Sequence, residues 1–244
     1  MLNQLTNKRG LIVYGGESSA NYGMVVAEAP AFERATRKQT VYKVPGRNGA
    51  VILQQNAWED VTRTYKVWLT DNRSKGLVEY VDAIEAWLNS QTGYQRLEDS
   101  FEPDVFRLAY YSGGNGVSNM LMQAGEATLS FTCRPERFYK SGEEEVQLTS
   151  GVPIYNPTRF QSKPLLYIEG AGEVALAIGS QTITATIDDY IFIDCETMNA
   201  YREPTENKNN SITGPFPVIN PGVNAISITG AVTSATAVPR YFTI

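Results

Sequence analysis

The sequence contains no histidine, and this absence excludes several large classes of catalytic and metal site. The 244-residue chain cannot form a Ser–His–Asp triad, a Cys–His pair, a histidine-ligated zinc site or a histidine general base. Carboxylate, lysine and tyrosine chemistry remain open to it. The two cysteines, Cys133 and Cys195, are too few for a disulfide framework or a cysteine-rich metal site. We expect both to be reduced and buried.

Long apolar runs and strong net charge are also absent. The apolar run near the amino terminus covers only residues 11–14, whereas a secretory signal needs about 7–15 apolar residues and a membrane span about 18. We therefore expect a soluble protein that is made in the cytosol. Lys and Arg number 21 against 26 Asp and Glu, a net charge of −5. That balance argues against a chain whose main role is to grip DNA phosphates or an anionic membrane.

The remaining composition is that of a folded protein. Hydrophobic residues make up 42%, aromatic residues 11% and charged residues 19% of the chain, which excludes wholesale disorder. The length predicts one large or two small domains.

Alternating patterns predict a chain that is mainly β with one helix. Residues 61–69 and 127–133 place apolar side chains at every second position, as half-buried antiparallel strands do. Residues 75–89 have apolar side chains at helical spacing, with Asn72 or Ser74 as the N-cap and Gly93 as the stop. Further strands are predicted in the first half of the chain at 10–14, 40–44, 49–54 and 105–111.

A change in composition near residue 141 predicts two domains. Residues 141–150 are polar and acidic and read as a linker between a domain at 1–140 and a domain at 151–244. The second domain has no tryptophan and reads as an all-β sandwich of short strands separated by glycine and proline turns. These strands are predicted at 165–169, 174–178, 182–187, 190–195, 225–229 and 236–244.

Two groups of residues have both a functional and a structural interpretation. Asp188, Asp189, Asp194 and Glu196 could hold a hard cation or supply an acid/base pair, or they could form a solvated turn and a polar strand end. The glycine-rich residues 112–116 could cradle a phosphate, but they lack the lysine and the helix that a P-loop needs. A flexible loop or hairpin arm is the simpler interpretation of that segment.

A basic segment, residues 34–47, contains five cations and no acidic residue. The five are Arg34, Arg37, Lys38, Lys43 and Arg47. The segment could contact an acidic protein partner or a nucleic acid backbone, or it could be one solvated face of a hairpin. Of the two contacts, we favour the protein partner.

An ordered series of short segments resembles the distal tail proteins (Dit) of long, non-contractile-tailed bacteriophages (siphoviruses), especially those of Gram-positive hosts. The resemblance runs over nearly the whole chain. The segments are Val44-Pro-Gly-Arg-Asn-Gly49, Gly93-Tyr-Gln-Arg-Leu97, Pro103-Asp-Val-Phe-Arg-Leu-Ala109, Phe131-Thr-Cys-Arg-Pro135, Asn156-Pro-Thr158, Ser162-Lys-Pro-Leu-Leu-Tyr-Ile-Glu-Gly170, Ile193-Asp-Cys-Glu196 and Pro221-Gly-Val-Asn224.

The resemblance implies a fold and an assembly. The amino-terminal domain would be a ring-forming, tail-tube-like β-sandwich or barrel with one amphipathic helix, and the carboxyl-terminal domain a galectin-like β-sandwich. Six copies would form a ring at the tail tip of the virion, assembled in the host cytoplasm. The ring would join the tail tube to the tail-associated lysin or baseplate hub protein and to the receptor-binding protein. Viral DNA would pass through its centre without sequence-specific contacts, and no membrane insertion is implied.

The resemblance implies no catalytic residue, metal or cofactor. We therefore expect a structural protein and not an enzyme. We predict that the basic segment lies at a subunit or tube interface and does not line the channel. We also predict that the glycine-rich segment, residues 112–125, contacts a neighbouring subunit or the tube, with Gly113, Gly114, Asn115 and Gly116 as its interface residues.

Two alternatives stay open. The second domain could be a module that binds host cell-wall glycans through an exposed aromatic platform, for which the candidates are Tyr155, Phe160, Tyr190 and Tyr201. The chain could also be a carboxylate-based hydrolase that depends on Asp194, which would need two acids about 5–9 Å apart across a cleft.

Overall fold

The structure, a computed structural model, describes residues 10–31, 33–70, 77–113 and 125–244. The chain forms two compact units, Met1–Arg137 with Ile244 and Phe138–Thr243. The segment predicted as a linker, residues 141–150, is part of the second unit and contains a short strand, Val146–Gln147.

The described residues of the first unit form antiparallel strands and one α-helix. Its described strands are β1 (Ile12–Tyr14), β2 (Glu17–Ser18), β3 (Met24–Val26), β4 (Arg37–Lys43), β5 (Ala50–Trp58), β6 (Val61–Leu69), β7 (Gln95–Asp99), β8 (Val105–Tyr111) and β9 (Glu126–Tyr139, which crosses into the second unit). The helix is α1 (Leu77–Asn89), and a 3₁₀ turn covers Ser19–Tyr22.

Seven of these strands form one sheet that curls back on itself. Its order is β2-β1-β7-β8-β9-β6-β3. Val26 of β3 exchanges two backbone hydrogen bonds with Gly10, the residue that leads into β1, at 2.8 and 3.0 Å. The two ends of the sheet therefore meet, which gives the first unit a barrel-like core and confirms the β-rich fold with one helix.

The alternating patterns of β6 and β9 decide which side chains of these two strands enter the core. Arg63, Tyr65 and Val67 are buried on β6, and Leu129 and Phe131 are buried opposite them on β9, while the residues between them face outward. Both patterns were predicted from period-2 spacing, because successive side chains on a strand point to opposite faces.

Helix α1 covers part of this core. Val81, Ile84, Trp87 and Leu88 are buried, as the helical spacing predicted. The indole N–H of Trp87 donates to the backbone carbonyl of Tyr14 at 3.1 Å, which ties the helix to β1. The predicted start of the helix, with its N-cap at Asn72 or Ser74, lies outside the described residues.

A buried charge network fixes the loop that follows β7. The Arg63 guanidinium donates to Asp99 at 2.9 Å and to Glu102 at 3.0 Å, and the Tyr65 hydroxyl donates to Asp99 at 2.8 Å. Burial, reinforced by the Asp99 charge, raises the pKa of Tyr65, so the phenol keeps its proton. Arg107 and Arg137 also donate to Glu102. The network connects β6, β7, β8 and β9, and its charges are compensated away from water.

The second unit is a β-sandwich. Its strands are β10 (Val146–Gln147), β11 (Ile154–Asn156), β12 (Leu165–Ile178), β13 (Gln181–Ile187), β14 (Tyr190–Asp194), β15 (Asn199–Tyr201), β16 (Ile212–Thr213), β17 (Gly222–Asn224), β18 (Ile226–Val238) and β19 (Phe242–Thr243). The main sheet has the order β10-β18-β12-β13-β16, and β14 joins it by pairing with β12 and β15. Strands β11 and β17 form a separate pair.

Strand β12 corrects the sequence prediction. Residues 165–169 and 174–178 were predicted as two strands, but they form one 14-residue strand with register irregularities against β18 between 169 and 175. A Cβ on Gly170 would lie 2.3 Å from the carbonyl oxygen of Ala231, and one on Gly230 would lie 2.4 Å from that of Glu173. The glycines that suggested turns therefore permit close backbone approach at bulges.

The same correction applies to β18. Residues 225–229 and 236–244 were predicted as separate strands, whereas Ile226–Val238 is continuous and only Phe242–Thr243 forms another strand. Gly230 lies inside this strand and does not end it. Its φ of 102° is one that residues with a side chain rarely adopt, so glycine is suited to this position.

Both cysteines are free and buried, one in each unit, as the sequence predicted. Burial raises the pKa of the Cys133 thiol to about 11 and that of Cys195 to about 12. The thiols therefore stay protonated and act as small apolar side chains.

We expect Asp99→Asn to lower the free energy of unfolding of the first unit by about 3–5 kcal/mol, because the substitution leaves Arg63 partly uncompensated in a buried site. All three tryptophans, Trp58, Trp68 and Trp87, lie in this unit, so tryptophan fluorescence in urea reports its unfolding. Asp104→Asn, at an exposed position in the same loop, is the matched control and should cost less than about 0.5 kcal/mol. Equal midpoints for the two variants would contradict the assignment.

Candidate assembly surface

The basic segment lies on a hairpin that contributes nothing to either core. Among the strands that the structure describes, β4 and β5 pair with each other alone and form a separate two-stranded sheet. None of their residues is buried, and none of the described residues 34–58 belongs to the hydrophobic core of the first unit. We call residues 34–58 the arm.

The arm exposes large apolar side chains. Val41, Tyr42, Val44, Ile52 and Leu53 are each between 45% and 54% exposed. These five account for nearly half of the twelve exposed large hydrophobic residues in the described part of the chain. A concentration of exposed apolar side chains of this kind is typical of a protein interaction site.

Both faces of the arm are apolar. Residues directly opposite each other in a β-ladder share a face. Tyr42 is opposite Val51 and Thr40 is opposite Leu53 on one face, while Val41 is opposite Ile52 on the other. An isolated two-stranded hairpin is at best marginally stable in water. The arm is therefore suited to being covered on both sides by another surface.

The tip of the arm is a tight turn that its sequence specifies. The N–H of Arg47 donates to the carbonyl of Val44 at 3.2 Å, and Gly46 has a φ of 79°. Proline at the second position and glycine at the third position of a turn are the signature of type II. The tip itself is exposed, and Arg47 follows it directly.

The cations of the arm are only partly compensated. The Arg37 guanidinium lies 4.6 Å from the ring centroid of Trp58, and Lys38 is 3.7 Å from a carboxylate oxygen of Glu59. Three further cations form no ion pair with a described residue: Arg34, Lys43 and Arg47.

Charge is divided unevenly within the first unit. Residues 34–58 carry five basic and no acidic side chains, whereas the rest of residues 1–137 carries ten basic and fifteen acidic ones. The arm and the remainder of the unit thus have opposite net charges of equal size.

The glycine-rich segment is described only at its edge. Ser112 donates to the carbonyl of Ser130 from both its N–H and its hydroxyl, at 3.0 Å each, and Gly113 has a φ of 72°. The other residues predicted as its interface, Gly114, Asn115 and Gly116, lie outside the described residues.

The acidic cluster of the second unit is held by ion pairs. Arg240 donates to both carboxylate oxygens of Asp194, at 2.6 and 3.2 Å, and Asp189 pairs with Arg202 at 2.9 Å. Arg240 has a φ of 57°, an unusual backbone conformation at which its N–H donates to the carbonyl of Gly142. Within the described residues, no three cysteine, aspartate or glutamate side chains form a group that could hold a metal ion.

Asp194 has a pKa below its ordinary value. Partial burial raises the pKa, but hydrogen bonds from Arg240 and from the N–H groups of Glu196 and Thr197 outweigh that effect. A carboxylate held in this way acts as a structural anion for the segment at Arg240.

Of the four candidates for a glycan platform, the structure brings two to one surface. Tyr190 and Tyr201 both contact Phe192, at ring-centroid distances of 6.0 and 5.4 Å. Phe160 instead stacks on Phe242 at 5.5 Å, and Tyr155 is exposed on β11. The structure adds Tyr167, which lies 5.0 Å from Phe192 and 5.8 Å from Tyr190.

Sequence reasoning missed this four-residue group, which we call the aromatic face: Tyr167, Tyr190, Phe192 and Tyr201. The alternation of Tyr190 and Phe192 was a visible signal on one strand. Tyr167 and Tyr201 are opposite Phe192 only because of the register of β12 and β15 against β14.

The loop that begins at Asn156 is held in place by the side chain of that residue. Asn156 is buried, and its amide donates to the carbonyls of Phe160 and Ile219 at 2.9 and 3.0 Å while its oxygen accepts from Thr158. All of its polar side-chain atoms are thereby used to hold the loop.

In the part of the chain that the structure describes, no helix is long and apolar enough to cross a membrane.

We expect Asp194→Asn to destabilise the second unit by about 1–2 kcal/mol at pH 7, because the charged hydrogen bonds to Arg240 are lost. A depressed pKa contributes stability above the unfolded pKa, and this contribution disappears as the pH falls through the folded pKa. The difference in melting temperature from the unsubstituted chain should therefore shrink toward zero in acid. Asp188→Asn, which removes an exposed carboxylate nearby, should show little difference at any pH. A constant difference between pH 7 and acid would contradict the ion-pair explanation.

Comparison with known proteins links both units to one solved fold. No protein-family model matches the sequence, and no curated protein sequence matches it. The chain superimposes with a TM-score of 0.74 on the crystal structure of SPP1 Dit (gp 19.1), described as a paradigm of the hub adsorption apparatus in phages that infect Gram-positive bacteria. The match covers 96% of this chain and 99% of that one, at 13% sequence identity. This chain therefore has the fold of a phage distal tail protein along nearly its whole length.

Proposed function

We propose that this chain is a structural subunit of a phage tail tip, a distal tail protein that assembles into a ring of six copies. The observation that carries the proposal is the match to SPP1 Dit over 96% of one chain and 99% of the other. A match of this extent includes both units. The role that it favours is one of assembly.

The arm supports ring formation through a head-to-tail interface. Its apolar faces are exposed, and its five positive charges are complementary to the net negative charge of the rest of the first unit. A surface that complements a different region of the same chain favours heterologous contacts, which close into a ring when the rotation permits. We propose that the arm of each copy packs on the next copy.

A protein interface for the arm also suits the passage of DNA. Each phosphate that a protein neutralises releases counterions and steepens the slope of log affinity against log salt concentration by about 0.9. A few such contacts per copy, repeated around a ring, would hold a duplex tightly. Cations that are covered by a neighbouring subunit or by the tube are removed from the channel. The net charge of −5 per copy is consistent with a wall that DNA does not adhere to.

The proposed partners follow from this position in the tail. One face of the ring would contact the tail tube protein, and the other would hold the tail-associated lysin or baseplate hub protein. The receptor-binding protein would attach to the same hub. The glycine-rich segment at 112–125 is proposed as a further contact with a neighbouring subunit or with the tube.

The test is the mass of the purified full-length chain over a range of concentrations, by light scattering, together with electron microscopy of the assembled species. We expect a multiple of six subunits and closed rings with a central channel. Monomers at every concentration, combined with normal tails in a phage that lacks this gene product, would refute the proposal.

Tyr42→Ser with Val51→Ser should raise the concentration needed for half-assembly by roughly tenfold or more, because it removes a cross-strand apolar pair at the proposed interface. Tyr155→Ser with Val223→Ser is the matched control, since it removes another cross-strand tyrosine–valine pair that is even more exposed. Both double variants should keep the melting temperature of the unassembled chain. Equal effects of the two on assembly would exclude the arm as the interface.

A further inference from the structure

The aromatic face is an outward surface of the second unit. Phe192 of β14 is directly opposite Tyr167 of β12 and Tyr201 of β15. Tyr190, two residues before Phe192, lies on the same face of β14. The alternate residues of these strands point into the core, as buried Ile168, Ile191 and Ile193 show. The four rings are partly exposed and form a continuous patch, with neighbouring centroids 5.0–6.0 Å apart.

Packing between strands does not account for every group on this face. Cross-strand aromatic pairs stabilise a sheet, and this contribution needs only the rings. The hydroxyls of Tyr167 and Tyr201, however, form no hydrogen bond with any described residue, whereas the Tyr190 hydroxyl donates to Glu203 at 2.8 Å. Two phenol groups thus remain available for a partner.

The charges near the aromatic face are predominantly negative. Glu169 is opposite Tyr190 in the β-ladder, and Asp189 precedes Tyr190 in the chain. Burial raises the pKa of Tyr167, and the negative charges of Glu169, Asp189 and Glu145 raise it further. The whole unit has the same bias, with six basic and eleven acidic side chains in residues 138–243.

One cation of the chain already occupies this surface. The Arg202 guanidinium lies 5.2 Å from the ring centroid of Tyr190 and pairs with Asp189 at 2.9 Å. A guanidinium is attracted to an aromatic ring by the ring's quadrupole, and a neighbouring carboxylate adds charge pairing. Tyr167 and Glu169 offer the same combination of groups, and no cation of the described residues lies over the Tyr167 ring.

We propose that the aromatic face binds an arginine-bearing segment of a partner protein, with a guanidinium over Tyr167 and its charge against Glu169. A neutral sugar could stack on the rings but would leave the surrounding carboxylates without a counter-charge. An anionic polymer would be repelled. The charge complementarity therefore favours a cationic peptide segment as the occupant.

The experiment is titration of the full-length chain with a hexa-arginine peptide by calorimetry, with hexa-glutamate and N-acetylglucosamine tetramer as alternative probes. We expect hexa-arginine to bind more weakly as salt is added, and we expect no binding of the other two. Tyr167→Ser and Glu169→Gln should each weaken hexa-arginine binding about threefold to fivefold, the size of one cation–π or exposed ion-pair contribution.

Matched controls separate a specific site from general attraction to an acidic protein. Tyr155→Ser removes an exposed tyrosine elsewhere in the same unit, and Glu173→Gln removes an exposed carboxylate farther along β12. Neither should change the affinity by more than about a factor of two. Glu169→Gln leaves the rings in place, so it decides the result if Tyr167→Ser lowers the melting temperature.

Equal affinities for the site and control variants would overturn the proposal. Binding of the N-acetylglucosamine tetramer that depends on Tyr167, without binding of hexa-arginine, would also overturn it and would assign the face to glycans. The titration does not depend on ring formation, so its outcome is independent of the test of the proposed assembly.

Discussion

A two-stranded hairpin cannot bury its own side chains, and this constraint connects the structure to its proposed role. Each residue of the arm has only one neighbouring strand, so the apolar groups on both faces stay in water unless another surface covers them. The barrel of the first unit is complete without the arm, and its core draws on β1, β3 and β6–β9 with α1. The arm is therefore available for contacts between molecules, and its uncompensated cations favour an acidic partner surface.

The two units satisfy their buried polar groups in different ways. In the first unit, buried charge is concentrated at one place, where three arginines surround Asp99 and Glu102. Both carboxylate oxygens of Asp99 accept hydrogen bonds. The second unit has an apolar core of mainly isoleucine, leucine and alanine and uses Asn156 to satisfy buried loop carbonyls. In both units the polar groups hold loops in place.

The arm and the aromatic face illustrate two kinds of exposed apolar surface. The arm combines apolar side chains with excess positive charge, and the aromatic face combines tyrosines with excess negative charge. Opposite electrostatic character makes it difficult for one partner to satisfy both surfaces. The chain thus has two exposed apolar surfaces of different chemistry, which is consistent with the proposed role of contacting more than one partner.

The sequence by itself determined which residues of β6, β9 and α1 are buried, because alternation and helical spacing are local properties of the chain. It also determined that the basic residues at 34–47 form one segment, and that both thiols would be buried. Tertiary structure decided what local patterns cannot contain. Gly170 and Gly230 lie at bulges inside long strands because a neighbouring backbone approaches each of them, and the sequence shows only a glycine. Arg63, Asp99 and Glu102 become partners, and Tyr167 comes to face Phe192, because strand register brings together residues that are distant along the chain.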